Sequence, residues 1–561
     1  MIAVHGRGAP DLPVSLHDHA MRLHRRAPDE PLPLGGLPLP YLRGHPGAPE
    51  PTAVVRHFLD NPDLSADDLR EAAPPALLRD AARWLVRHGI DERSVRVGLE
   101  LLRGNVEPRD FPVVRTVGLL SVADTAAAAV LAGDPRAVPD LVWLAERSRP
   151  DTIQFAAGEL IGHPDPAVRD WVRSTPGHTL GTTLARRIAE QHGLVDLLAG
   201  AGDDRRWDQA GNLLSAMTST HDYYHEIARY PDAPETYRRW VDLAPSVTPA
   251  VDRAAVLASV ADDLATGPAA MVVGDDRGPL VDRIKDVLTA WHDVLDRGTR
   301  SADPVEARRA AWVLARLAAV DLPTDRFAVR VVPPDPNPVG FPQVEARIVL
   351  DGVPIVAASF DKGPAAVPEW LLGEGMLRAT GEPREVRLAE AYCTEGCCGG
   401  LHVTIVREGA EVVWKDWRSS MAGDPPRDVR FDAAAYDREL TRAERDHGWE
   451  WPARTVARLI TRRLRADPTI LGRADCEFGW CVAWVKEPDA ARLTFLSPVH
   501  RERVDDPFTQ YGLVIDVEDR DPEALAAEVV TSLATTDPRT LAEAIGGAKA
   551  RRGTAVRWNR R

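Results

Sequence analysis

The hydrophobic period along this chain first changes at a block of prolines. Ahead of the block apolar residues recur at three and four positions; beyond it they alternate. The block consists of Pro323 and the run Val332-Pro-Pro-Asp-Pro-Asn-Pro-Val-Gly-Phe-Pro342. Proline fixes φ and removes an N–H donor, so no helix or sheet interior runs through such a stretch. The 561 residues also exceed what one hydrophobic core accommodates. A multidomain chain follows: an extended Pro/Gly/His-rich arm over 1–50, an all-α helical array over 51–322, a Pro-rich linker over 323–342, an α+β domain with a mainly antiparallel sheet over 343–550, and a basic tail over 551–561.

The helical part has a repeated grammar. Leu77, Leu78, Ala81, Ala82, Leu85 and Val86 form one apolar stripe ending at Gly89. Asp91 is then placed to cap a second helix with Val95, Leu99 and Leu102 inward. Asp165-Pro166-Ala-Val168-Arg169 puts an aspartate at N-cap and a proline at N1, where a missing N–H costs least, and Asp303-Pro304-Val-Glu-Ala307-Arg308 repeats the arrangement. This opening resembles that of HEAT-type repeat helices. The resemblance implies a HEAT-like array in which each helical pair buries its neighbour's apolar face.

Past the prolines, Val344, Ala346, Ile348 and Leu350 alternate with polar residues. Asp351-Gly352 supplies a hairpin turn, and a return strand through Val353, Ile355 and Ala357 is expected. A second hairpin is expected from Leu401–Ile405 through Glu408-Gly409 to Val412–Trp414. Further strands are expected near Cys481–Val485, Leu493–Leu496 and Leu513–Val517, with helices near 432–447, 452–465 and 521–534.

Acidic residues number 84 against 69 basic ones, a formal charge of −15. That balance argues against non-specific binding to nucleic acid or to an anionic membrane, and favours a basic protein or peptide partner. The tail, with Lys549, Arg551, Arg552, Arg557, Arg560 and Arg561, is read as a solvated end. No run of about 18 apolar residues and no signal-peptide h-region occurs, which together with an odd number of cysteines predicts a cytoplasmic protein.

All five cysteines lie between Cys393 and Cys481. Cys393 and Cys397, with Cys476 and Cys481, have spacings that allow each pair to share one Zn²⁺, so these four are the candidate ligands of a structural zinc site, with Cys398 spare. Buried free thiols are the leading reading, so no cofactor is expected beyond this candidate structural zinc. A reactive thiol is a third: Cys397 or Cys398 with His402 and Asp416 or His447 would supply nucleophile, base and orienting carboxylate, although His402 reads as an exposed-face residue of a strand. His221 and His225, one helical turn apart, and His17, His19 and His24 in the arm read as surface polar residues. No Walker loop or dinucleotide fingerprint occurs, so nucleotide cofactors are not expected.

Three segments, Val386-Arg-Leu-Ala-Glu-Ala-Tyr-Cys393-Thr-Glu-Gly-Cys397-Cys398-Gly399, Phe431-Asp-Ala-Ala-Ala-Tyr436-Asp437 and His447-Gly-Trp449-Glu-Trp451-Pro452, resemble a family of uncharacterised bacterial proteins whose members join such a domain to a helical region. The resemblance implies this domain order and no activity. The expected function is a non-enzymatic interaction scaffold, of an inhibitor or immunity type, that takes a protein partner on its helical array. The alternative is a thiol- or zinc-dependent hydrolase or redox enzyme with its site in the C-terminal domain.

Overall fold

Aspartate caps open the helices at the positions their spacing predicts. Asp91 accepts from the Ser94 N–H at 2.8 Å and starts the helix Glu92–Leu102; Asp165 accepts from Ala167 at 2.8 Å before Pro166–Ser174; Asp303 accepts from Val305 at 2.9 Å before Pro304–Ala319. Each such bond is worth about 1 kcal/mol to its helix. The structure, a computed structural model, describes residues 15–18, 20–21, 52–199, 203–219, 226–337, 343–420, 426–499, 507–547 and 556–558. Most of the arm, His19, His24, the His221/His225 pair and all the tail cations except Arg557 lie outside those residues.

The chain packs as two units that divide between His192 and Gly193. In the first, the helix Pro75–His88 lies against Glu92–Leu102, burying Leu78, Ala81, Leu85, Val95, Leu99 and Leu102. Gly98 permits the close approach, because a Cβ there would stand 2.9 Å from the Cβ of Leu85. Of the arm, residues 15–18 and 20–21 are described, and the Leu16 N–H donates to the Gly89 carbonyl of this hairpin at 3.0 Å.

The second unit contains both helices and sheets. Trp207 and Trp240 stack with centroids 4.5 Å apart and exchange indole-to-carbonyl hydrogen bonds of 2.9 and 3.0 Å between the helices Asp204–Met217 and Ala233–Leu243. The helix Val251–Thr266 then faces the first sheet through buried charge. Arg347 pairs with Asp263 at 2.9 Å, and Arg316 of the helix Pro304–Ala319 reaches Asp262 at 2.9 Å. A guanidinium taken out of water needs such partners, and breaking one buried pair costs about 3–5 kcal/mol. Helices after Gly193 are therefore fastened to strands, and the unit boundary falls inside the region expected to be one array.

Strands β1 (Phe327–Val332), β2 (Glu345–Leu350) and β3 (Val353–Pro354) form an antiparallel sheet in which Phe327 pairs with Leu350. The strand β1 lies in the stretch expected to be linker, between Pro323 and the proline run that starts at Pro333; the alternation of Phe327, Val329 and Val331 carried the signal. Asp351 and Gly352 make the turn with φ of 48° and 81°. The expected return strand stops at Pro354, which has no N–H to extend the ladder, and a helix Ile355–Ser359 follows. The second sheet has the order β4 (Arg384–Glu390), β5 (Gly400–Glu408), β6 (Glu411–Ser419), β7 (Val429–Asp432), all antiparallel. Ala346 N–H donates to Ala366 at 2.9 Å and Ala366 N–H to Leu388 at 2.8 Å, which joins β2 to β4. One core covers both sheets, centred on Phe327, Trp414, Phe431 and Tyr436 beneath the helix Ala433–Arg445.

The third sheet runs β11 (Glu543–Gly547), β10 (Thr509–Asp516), β9 (Ala490–Ser497), β8 (Glu477–Val482), with β12 (Val556–Trp558) parallel to β10. The helices Pro452–Ala466 and Pro522–Thr535 cover it, burying Val456, Ile460, Phe495, Ile515 and Val529 in a separate core. The α+β region thus holds two cores, tied by the pair of bonds from Arg454 to Glu369 at 2.8 and 2.7 Å. No single helix among the described residues is long and apolar enough to cross a membrane.

Candidate metal centre

Threonine and glycine shape the segment between β4 and β5. Thr394 Oγ1 accepts from the Cys397 N–H at 3.2 Å and caps one helical turn, Glu395–Cys398. Gly399 ends the turn with φ of +90°, and a Cβ on it would stand 2.3 Å from the Cβ of Ser420, so glycine is required on both counts. The turn is anchored at its start too: Ala391 N–H donates to Gly399 at 3.0 Å and Tyr392 N–H to Lys362 at 2.9 Å.

This turn brings three thiols together. The sulfurs of Cys393, Cys397 and Cys398 all lie within 4.8 Å of one another, and those of Cys397 and Cys398 are 3.7 Å apart. Two thiolates on one tetrahedral zinc, each about 2.3 Å from the ion, stand about 3.8 Å apart. Cys397 is exposed, while Cys393 and Cys398 are half-buried against the first core. Among the described residues no histidine or carboxylate joins the group, so the protein offers three ligands.

Charge around the turn is organised by Glu395. Its carboxylate receives Arg387 at 3.0 Å and His402 Nε2 at 3.0 Å, and its N–H donates to Glu390 at 2.9 Å. The Arg387 bond holds Glu395 below the usual carboxylate range. Burial, with Arg418 nearby, holds His402 below its ordinary value, which keeps the imidazole neutral with its Nε2 proton on Glu395. Neighbouring Cys393, and then Cys397, push the Cys398 thiol up to about 11. A bound cation reverses that resistance, because a coordinated thiol gives up its proton.

The grouping differs from the four-cysteine expectation. The sulfurs of Cys393 and Cys397 lie together, and the third sulfur beside them is that of Cys398. Neighbouring residues on a strand diverge, whereas on a helical turn they need not, and a helical turn is what this segment forms. Cys476 and Cys481 belong to the other core: Cys476 donates to the Ala474 carbonyl at 3.4 Å, Cys481 packs among Leu493 and Phe495, and burial pushes both thiols up. His402 is 4% exposed, not on an open face, because β5 is an interior strand of a sheet covered by core residues. Its Nδ1 has no partner, and His447 pairs with Glu450 at 3.4 Å, so neither imidazole is engaged as a base for a thiol. His17 is buried at the docked arm beside Asp18 and Arg87, and burial lowers it to about 4.

A cleft of about 370 Å³ adjoins the thiols, lined among others by Gln343, Trp370, Arg387, Glu390, Tyr392 and Cys393. The roles of Cys398, Glu395 and Arg387 escape a spacing argument. The available signal was the frame Thr394…Gly399, a cap and a stop enclosing four residues, which marks one helical turn. Comparison with protein-family models, with curated proteins and with solved structures gave no match. The roles of these residues therefore rest on their chemistry alone.

Proposed function

We propose that this is a binding protein whose C-terminal region holds one thiophilic divalent cation, with Zn²⁺ the best fit, on Cys393, Cys397 and Cys398. The observation that carries the reading is the convergence of three sulfurs, two of them at a tetrahedral-edge separation, on a turn fixed by Thr394 and Gly399. Thiolate sulfur selects zinc over the oxygen-seeking cations. The expected HEAT-like array and a basic protein partner belong to the same proposal; the Asp-Pro helix openings and the charge of −15 support them. Function would then combine a partner-binding helical part with a metal-bearing module.

Purified full-length protein tests it by metal analysis and by Co²⁺ substitution. One equivalent of metal and sulfur-to-cobalt charge-transfer absorption are expected, both lost in Cys397→Ser and Cys398→Ser and kept in Cys476→Ser. Substoichiometric uptake by the unaltered protein, or unchanged uptake by the two turn variants, overturns the reading.

A further inference from the structure

Cys393 belongs both to the thiol cluster and to the wall of the 370 Å³ cleft. An ion held by the three sulfurs therefore borders, through Cys393, a space that is large enough for a small molecule. Three thiolates leave a four-coordinate ion one position short. They also overcompensate its charge: a dication with three thiolates carries a net −1, which makes it a poor acidifier of water compared with a zinc on neutral imidazoles. A soft donor suits that position better than water does.

The cleft wall specifies what such a donor carries. Arg387 uses Nη1 for both Glu390, at 2.9 Å, and Glu395, at 3.0 Å. Its Nε and Nη2 form no hydrogen bond among the described residues, which leaves one edge of the guanidinium fork for a carboxylate. Trp370 donates Nε1 to the Arg387 carbonyl at 3.2 Å, which fixes its ring to β4, and it lines the same cleft as Arg387. A ligand with a thiol for the ion, a carboxylate for Arg387 and a short carbon chain to cover Trp370 has the groups that this lining calls for.

Resting on the metal reading above, we infer that the site takes a low-molecular-weight thiol bearing a carboxylate, its sulfur filling the fourth position on the ion and its carboxylate meeting the free edge of Arg387. On binding, the ligand's S–H bond breaks, a metal–sulfur bond forms and the proton passes to solvent. No electron is transferred.

The experiment uses the full chain loaded with Co²⁺ and three probes: 3-mercaptopropionate, 2-mercaptoethanol and propionate. With 3-mercaptopropionate the charge-transfer absorption is expected to rise by about one third, from three to four cobalt–sulfur bonds. It is expected to bind at least about tenfold more tightly than 2-mercaptoethanol, which lacks the carboxylate, while propionate leaves the spectrum unchanged. Arg387→Ala should erase the difference between the two thiols; the probe series on the unaltered protein decides the question even if that variant does not fold. Equal affinity of the two thiols, no spectral change, or removal of cobalt from the protein by the thiol overturns the inference. Failure of the protein to take up cobalt at all is a separate result and overturns the metal reading instead.

Discussion

The two cores of the α+β region each carry cysteines, and they treat them in opposite ways. In the first core Cys397 and Cys398 sit on a capped turn and Cys393 just before its cap, with the three sulfurs within 4.8 Å of one another. In the second, Cys476 and Cys481 are packed as small apolar side chains among aliphatic and aromatic neighbours. Cysteine is as often a core residue as a ligand, so its presence decides nothing. What separates the two cases is the backbone: Thr394 and Gly399 build a turn that aims sulfur at sulfur, whereas β8 sends Cys481 into a closed layer.

The sharpest way to break this comparison is to damage each core separately. Trp414 is fully buried between Phe431 and Tyr436, and Phe495 is fully buried under the helix Pro452–Ala466. Alanine at either position should cost about 3–5 kcal/mol. Metal uptake should be lost with Trp414→Ala at temperatures where Phe495→Ala still binds one equivalent. A single unfolding transition with uptake lost equally in both variants would show that the cores act as one, and the contrast between their cysteines would then owe nothing to separate packing.

A smaller effect is expected at the turn itself. Gly399 occupies a conformation open almost only to glycine, and Ser420 blocks a side chain there. Gly399→Ala should therefore cost of order 1–3 kcal/mol, and it should weaken metal binding at least as much as it weakens the fold. Cobalt titration beside thermal unfolding checks this. Unchanged cobalt affinity would mean that the turn's geometry does not set the site.

Much of the fold was legible because it is local. Asp91, Asp165 and Asp303 announce their helices through their own side chains, and the Glu408-Gly409 hairpin through its turn residues, with Gly409 at φ 64°. What was not legible is long-range. Nothing near Arg347 in sequence shows that it also reaches Asp263, and that contact is one of those that attach the helices after Gly193 to the sheets. The same holds for the site. The Cys393/Cys397 pairing is a matter of spacing, but the remoteness of Cys476 and Cys481 depends on which core each strand joins. The burial of His402 depends on β5 lying between β4 and β6.

Serine tests the contrast with a single atom. Cys481→Ser places a hydroxyl in a layer that offers an apolar lining, and should cost about 1–3 kcal/mol. Cys397→Ser, at an exposed position, should change stability of the metal-free protein by no more than about 0.5 kcal/mol while abolishing the metal site. Chemical denaturation of both variants in the presence of chelator measures the difference. Equal losses would mean that the exposed thiol is as much a packing residue as the buried one.

The smallest effect concerns protons and leaves the fold in place. With its pKa raised from 9.0 to about 11, Cys398 is a neutral thiol at pH 8, and only its thiolate is alkylated. Its alkylation rate, followed residue by residue by mass spectrometry, should climb about tenfold per pH unit and level off near 11. The sign for stability follows from the same shift. Between 9 and 11 the unfolded chain has lost a proton that the folded chain keeps, so the metal-free fold loses stability as pH rises through that window. Zinc should remove both effects, since the ion creates the thiolate whatever the pH and at the same time shields it from the alkylating agent. Cys481 should respond to neither: its labelling waits for the core to open, and should follow denaturant concentration. If Cys398 and Cys481 were alkylated at one rate, with one pH dependence and without regard to zinc, the rim and the core would be equivalent environments for sulfur.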